Sequence, residues 1–378
     1  TTTTTQEEEK DQEKTKERNY IAFAKAFTEI QGLCHERFTD LFWEIRQFFG
    51  LGKREQRIRE CAKILDDFVY DIISMVRASS SEHDTNSSSS SAPSQEKNIN
   101  VIDQYLRQSK ELHETPPTDK ELRNFVMSLL IAGRDTTAAA LSWTMYEICR
   151  HPRVGDKIRE ESESICGSVR VGGGDKENDN SNSNNNMYNS ETIGNLPYTH
   201  AVVMEALRLH PPTPENFRFN IHDDTLPDGT FIPAGSCVMY SAYSINHNDK
   251  VWDNATSTTK SGGNNLMMNT KYPVDEFHPE RFLEQTEPSP FSYPTFNAGP
   301  RICPGKILAM LEIKMVLAFL LPRFDFVDDV ARISNSNSTN DMDDKTTSER
   351  AGHSGEYTWT LIMSMKNGFP IRVRQRQP

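Results

Sequence analysis

The stretch "FNAGPRICPG", Phe296 to Gly305, decides how the chain is to be read. It sets one cysteine, Cys303, among an arginine, two prolines and two glycines, just before a run of good helix formers. Gly299 permits a tight backbone bend and Pro300 stiffens it. Pro304 and Gly305 then launch a helix over 305–321, proline being favoured in a first turn. The sulfur therefore lies at a helix N-terminus, where the dipole and free N–H groups favour thiolate over thiol. Arg301, two residues away, is well placed for a ligand carboxylate. The plain alternative is a buried structural cysteine, which needs none of this company.

The bulk of the chain narrows the field. The formal net charge is −12 over 378 residues, which argues against a nucleic-acid partner, since that would need a basic stripe. Six scattered cysteines (34, 61, 149, 166, 237, 303) with no CxxC speak against a disulfide framework or zinc site and for a reducing compartment. The apolar runs "FVMSLLIAG" and "MVLAFLL" are too short to span a bilayer, so no transmembrane segment is expected in this chain, and no signal peptide opens it. Residues 1–18 read as a disordered polar tail. Polar stretches near 79–98, 170–190, 254–270 and 334–352 read as disordered inserts, because they lack the apolar residues that offset ordering entropy. One domain over 19–378 remains, with enough apolar sequence for a real core.

Periodicity predicts helices over 19–34, 57–77 and 199–209. "FTDLFWEIRQFFGLG" reads as a core helix, with contact to a membrane surface as the alternative. The longest helix follows Pro116-Pro117, opens on a Thr118/Glu121 capping box and stops at Arg150 before His151-Pro152. Short strands are expected over 217–221, 230–233 and 236–242, with a turn at "LPDG". The tail reads as a hairpin of "YTWTLIMSM" against "FPIRVRQ" across "KNG". The fold class is mainly α with small β-sheets.

Three further patterns carry chemistry. "EALR" sets Glu205 and Arg208 at i and i+3, on one helix face. "FHPERF" supplies Arg281. "AGRDTT" puts Gly133, Asp135, Thr136 and Thr137, all poor interior helix residues, inside the longest helix. A threonine hydroxyl can bond the carbonyl four residues back, so the helix is expected to open or bend into a polar notch there. His210 and His222 have no partner spacing and read as structural.

"FNAGPRICPG" resembles, at every defined position, the haem-ligand signature of the cytochrome P450 family, and the other three patterns follow the family's order. The resemblance implies a P450 fold holding haem b, with Cys303 as axial ligand of the iron, Arg301 on a haem propionate, Phe296 beside the sulfur and Gly299 shaping the loop. It also implies that Glu205, Arg208 and Arg281 form a buried network behind the haem. Thr136 would manage protons on bound dioxygen, and Asp135 would connect to the proton supply. Arg218, in "ENFRFN", is either a second propionate ligand or a surface arginine. The activity implied is that of a monooxygenase, taking electrons from NADPH through a reductase and placing one oxygen atom in a C–H bond of a lipophilic substrate. "AGRDTTAAALSW" and "FAKAF" are similar to the long-chain fatty-acid omega-hydroxylase branch.

The family usually has an N-terminal membrane anchor and early helices, one carrying a Trp/Arg pair for the propionates. Nothing upstream of residue 19 supplies them. The chain therefore reads as an N-terminally truncated P450 domain, whose intact form is expected on the cytoplasmic face of the endoplasmic-reticulum membrane. Two other functions fit the same signature: a haem-thiolate isomerase or dehydratase that needs neither oxygen nor reductase, and a non-catalytic haem-binding remnant.

Overall fold

Thr118 caps the helix Asp119–Arg150 as its spacing predicts: Glu121 N–H donates to Thr118 Oγ1 at 3.3 Å, and Thr118 N–H donates to Glu121 Oε2 at 2.8 Å. That helix was expected to be the longest, but two helices nearer the N-terminus, Thr2–His35 and Lys53–Thr85, are slightly longer. The computed structural model describes residues 2–85, 101–112, 116–166, 188–252, 272–283, 287–328, 356–358, 362–366 and 368–376. The chain divides into two compact units, Thr1–Ala132 and Gly133–Pro378.

The first unit holds α1 (Thr2–His35), α2 (Trp43–Phe49), α3 (Lys53–Thr85), α4 (Val101–Leu112) and the start of α5 (Asp119–Arg150). Its core sets Phe23 and Phe27 of α1 against Cys61, Leu65 and Val69 of α3, with Leu122 and Val126 of α5. Phe23 stacks on Phe68 with ring centroids 4.3 Å apart. Residues 2–18, expected as a disordered tail, continue α1 instead. The reason lies in their composition, which is rich in Glu, Gln and Lys, residues that lose little freedom in a helix. In the same way α3 runs on to Thr85, into the stretch expected as the insert near 79–98, the rest of which lies outside the described residues.

The aromatic segment departs from the core-helix reading. Only seven residues form α2, and none is buried. Leu41 is 95% and Phe48 81% exposed. Polar ties hold this short element rather than packing. Asp40 pairs with Arg46 at 3.0 Å and with Arg54 at 2.5 Å, and Gly50 ends the helix at φ +64, a left-handed conformation glycine adopts without strain.

The second unit comprises the rest of α5 with α6 (Pro152–Cys166), α7 (Ser190–Gly194), α8 (Pro197–Leu209), α9 (Ala242–Asn246), α10 (Asp249–Trp252) and α11 (Lys306–Leu320). Asn189 caps α7, its Oδ1 accepting from Thr192 N–H at 2.7 Å, so 188–190 are ordered where an insert was expected to run to 190. The inserts near 254–270 and 334–352, and 170–187, lie outside the described residues. Helix α8 is buried on nearly every side, among Ile158 of α6, Ile313 and Leu317 of α11, and Trp252. A helix with so little face given to water becomes the centre of its unit.

Glu161 of α6 stands at the start of α8. Its carboxylate accepts from Tyr198 N–H at 2.6 Å and from Thr199 N–H at 2.8 Å, two of the donors that a helix start leaves open. Among the described residues, four two-stranded antiparallel sheets complete the unit. β1 (Glu215–Phe219) pairs with β4 (Cys237–Ser241), Phe217 facing Met239, and β2 (Asp224–Thr225) pairs with β3 (Phe231–Ile232) around the expected turn at Gly229.

The tail corrects the expected hairpin. β6 (Tyr357–Thr358) pairs with β7 (Ser364–Met365), while β8 (Ile371–Gln375) pairs with β5 (Phe324–Asp328) over five residues. Gly368 at φ +77 turns the chain away after β7, and β5 offers β8 a longer ladder than the two-residue β6 does.

Candidate functional site

Cys303 lies in the turn that leads into α11, as its sequence predicts. Its backbone N–H donates to Phe296 O at 2.8 Å, which closes the loop between them. Two residues in that loop have positive φ. Gly299 is at +60, where glycine is unstrained; Asn297 is at φ +59 and ψ −177, a region almost reserved for glycine. Asn297 is held there by its N–H on Pro294 O at 2.9 Å and by Tyr240, whose hydroxyl donates to Asn297 Oδ1. The sulfur is half-buried, and a Cβ placed on Gly305 would come within 3.8 Å of it. Phe296 packs against the core of the unit, with Lys306 Nζ 5.8 Å from its ring centre.

Beside this loop lies a pocket of about 310 Å³. Arg218 from β1 and Arg301 from the Cys303 loop both line it, together with Tyr240 and Asn297. Both arginines are exposed. Apolar side chains next to the cysteine also face outward, Ile302 at 46% and Ile307 at 83% exposure.

These features can be tested against haem. A sulfur donor at a helix start suits iron, two arginines on one pocket suit two carboxylates, and outward Ile302 and Ile307 suit an apolar ring. Among the described residues no group of three or more His, Cys, Asp and Glu could hold a metal ion. The residues fit.

Behind the loop, Glu205, Arg208 and Arg281 are brought together with no exposure at all. Arg208 Nε and Nη2 each donate to one oxygen of Glu205 at 2.8 Å. Arg208 Nη1 adds bonds to Asn246 O at 2.9 Å and Val274 O at 2.7 Å. Arg281 Nε reaches Glu205 Oε1 at 3.4 Å, and its Nη2 donates to Pro273 O at 2.8 Å. His278 N–H donates to the same Glu205 oxygen at 3.0 Å. Each guanidinium also lies near the Trp252 ring, at 5.3 and 5.9 Å. The i, i+3 pair is thus buried and fully directional rather than a solvated surface pair.

Asp135 and Thr136 are half-buried on α5, and Asp135 pairs with Arg134 at 3.2 Å. The helix passes through "AGRDTT" without opening, contrary to the expected notch. Ala132 opens the motif and Ala138–Ala140 follow it, and alanine is the strongest helix former. Hydroxyl bonds to the carbonyl four residues back recur along the same helix, from Ser128 to Asn124 O at 2.7 Å, from Ser142 to Ala138 O at 2.8 Å and from Thr144 to Ala140 O at 2.7 Å. None of the residues lining the arginine pocket comes from α5.

Comparisons with known proteins identify the family. A family model described as cytochrome P450 matches residues 7–257 and 273–342. The chain belongs to the cytochrome P450 family. It is similar to cytochrome P450 704C1 of Pinus taeda, 31% identical over 81% of this chain and 54% of that protein. It is similar also to cytochrome P450 94A2 of Vicia sativa, 29% identical over 95% of this chain and 58% of the relative. Cytochrome P450 4F2 of Homo sapiens is 29% identical over 82% of this chain and 53% of its own length. The chain thus spans a little over half the length of these P450 relatives.

A second buried polar cluster was not foreseen. His210 joins Glu147, 63 residues away, and Tyr357, 147 residues away. Asn297 was missed as well. Its one legible signal is that asparagine is among the few residues tolerant of positive φ.

Proposed function

We propose that Cys303 ligates the iron of haem b, and that the intact protein is a monooxygenase placing one oxygen atom from dioxygen into a C–H bond of a lipophilic substrate. The observation that carries this reading is the Cys303 loop, closed by the Cys303 N–H on Phe296 O and flanked by the Arg218 and Arg301 pocket. A thiolate-held haem supplies the electron push that favours O–O cleavage. Arg301 and Arg218 bind the propionates, Phe296 shields the sulfur, and Gly299 gives the loop its bend. Thr136 orients the water that delivers protons, and Asp135 relays them from solvent.

Electrons come from NADPH through a reductase. The proposed substrate class is long-chain fatty acids, on the resemblance of "AGRDTTAAALSW" and "FAKAF" to the omega-hydroxylase branch. Among the described residues no helix is long and apolar enough to cross a membrane. The outward stripe of Leu41, Ile45 and Phe48 supports contact of the intact protein with the cytoplasmic face of the endoplasmic-reticulum membrane.

The test is the reduced carbon-monoxide spectrum of the haem-loaded full-length protein. A red-shifted thiolate Soret band is expected in the native protein and its loss in Cys303→Ser; survival of the band in the variant overturns the ligand assignment. Reconstitution with reductase, NADPH and oleic acid under labelled dioxygen then reads one labelled oxygen per product. Turnover of an oxygenated substrate without oxygen or NADPH would instead mark an isomerase or dehydratase.

A further inference from the structure

His210 caps the end of α8, and both of its ring nitrogens are engaged. Nε2 lies 2.7 Å from Glu147 Oε1, and Nδ1 lies 3.0 Å from Tyr357 Oη. A carboxylate only accepts, so the Nε2 proton points at Glu147, and in the neutral ring Nδ1 accepts the Tyr357 hydroxyl. Trp143 stacks on the ring at 4.2 Å and 13°, and its Nε1 donates to Met363 O at 2.9 Å. Met363 N–H in turn donates to Pro212 O at 2.8 Å. The other oxygen of Glu147 lies 3.4 Å from His151 Nδ1. Three segments therefore meet at one ring: α5 through Glu147 and Trp143, the end of α8, and the tail through Tyr357 and Met363.

Two of these segments lead to residues of the candidate site. Glu147 follows Thr136 by 11 residues on the unbroken α5. That is about three full turns, which puts both on one face of the helix. His210 lies two residues after Arg208 and opens the stretch that runs through Pro211–Pro214 into β1 and Arg218. The pair is an expensive way to hold two helices together. Well-packed apolar residues in its place would be as stable or more so, whereas the polar bond permits only one rotation of α5. Apolar contacts along α5 leave that rotation less defined, because they are non-directional.

We propose that His210 and Glu147 are positioning residues: their bond fixes the rotation and axial register of α5 against the end of α8, and so the placement of Thr136 and Arg218 about the haem-thiolate site. The inference rests on the monooxygenase reading above.

The experiment uses haem-loaded full-length protein with reductase, NADPH and oleic acid. The variants are Glu147→Gln, His210→Gln and a core control, Ile158→Val, each assayed equally far below its own melting temperature. Product per NADPH should fall about tenfold in both polar variants and stay near native in the control, since ångström-scale misplacement can cost up to about a hundredfold. Thr136→Ala/Glu147→Gln should lose no more than Thr136→Ala alone, because Glu147 acts through Thr136. Hydrogen exchange at amides 133–147 should quicken in Glu147→Gln beyond the control.

Equal coupling in the polar variants and the control, or additive losses in the double variant, overturns the proposal. If Glu147→Gln and His210→Gln fail to fold, Tyr357→Phe removes one bond to the ring and should give a smaller loss of the same sign; native coupling in it overturns the proposal. If native protein shows the thiolate band and turnover but the variants match the control, positioning alone is wrong. If native protein shows neither, the monooxygenase reading is wrong, and the exchange comparison by itself decides whether the pair holds α5.

Discussion

Arg208 grips both carboxylate oxygens of Glu205 at 2.8 Å, and neither residue has any exposed surface. Removing the arginine would leave the carboxylate buried with Arg281 Nε, at 3.4 Å, and one backbone N–H. Arg208→Ala should therefore cost about 3–5 kcal/mol, the range for breaking a buried pair from one side. The expected outcome is little haem-loaded protein and a large drop in melting temperature. Arg208→Lys should also be poorly tolerated, since an ammonium cannot reproduce the two-point grip.

Thr136→Ala tests oxygen chemistry apart from haem binding. Alanine keeps helix propensity at this position, so haem content and lipid binding should stay near native. NADPH should still be consumed while hydroxylated product falls and peroxide or water rises. The measurement is product per NADPH with peroxide assayed in parallel, and an unchanged ratio would remove Thr136 from the mechanism.

Glu147 gives the second unit an acid limit. Burial raises its carboxyl pKa, but hydrogen bonds from His151 and His210 outweigh this and hold it at about 2, below the ordinary 4.5. A depressed folded pKa adds stability that is whole above the unfolded value and lost as pH falls through the folded one. The shift is worth about 3 kcal/mol, lost between about pH 5 and pH 2. Denaturant unfolding across that range should show the loss in native protein and a flatter profile in Glu147→Gln. His151 shifts the other way, raised chiefly by its hydrogen bond to Glu147, so its part is present below pH 6.5 and fades as pH rises through the folded value.

Asn297 holds a backbone conformation that costs about 1–3 kcal/mol for a residue with a Cβ. Asn297→Ala keeps the strain and loses the Tyr240 bond, so it should lower the melting temperature. Asn297→Gly loses the same bond but relieves the strain, and should be the milder of the two. The reverse order would mean that the backbone at position 297 carries no such strain.

Much of this was legible in advance, and the reasons differ by residue. The capping box at Thr118 and the stops at His151-Pro152 are local chemistry, so spacing alone sets them. Glu205 and Arg208 are neighbours on one helix face, so their pairing follows from the period, while Arg281 came only through resemblance to the family. His210 carries no local signal, because its partners Glu147 and Tyr357 lie 63 and 147 residues away. The stripe of α2 marks which side chains share a face, and periodicity says nothing of what covers that face. The tail misled for a related reason. "KNG" is a good turn, but a longer ladder with β5 outcompetes the strand nearest in sequence.

Glu161 has a consequence for the order in which the chain folds. Leu196, at the cap position of α8, offers no side-chain bond to the helix start, and the carboxylate that does so comes from α6. A first helical turn is costly to nucleate alone, and here the group that closes it arrives from 37 residues upstream. The helix that carries Glu205 and Arg208 is therefore not an autonomous early element. It gains its start when α6 docks, so the two should appear together in folding kinetics, with α8 never ahead of its neighbour.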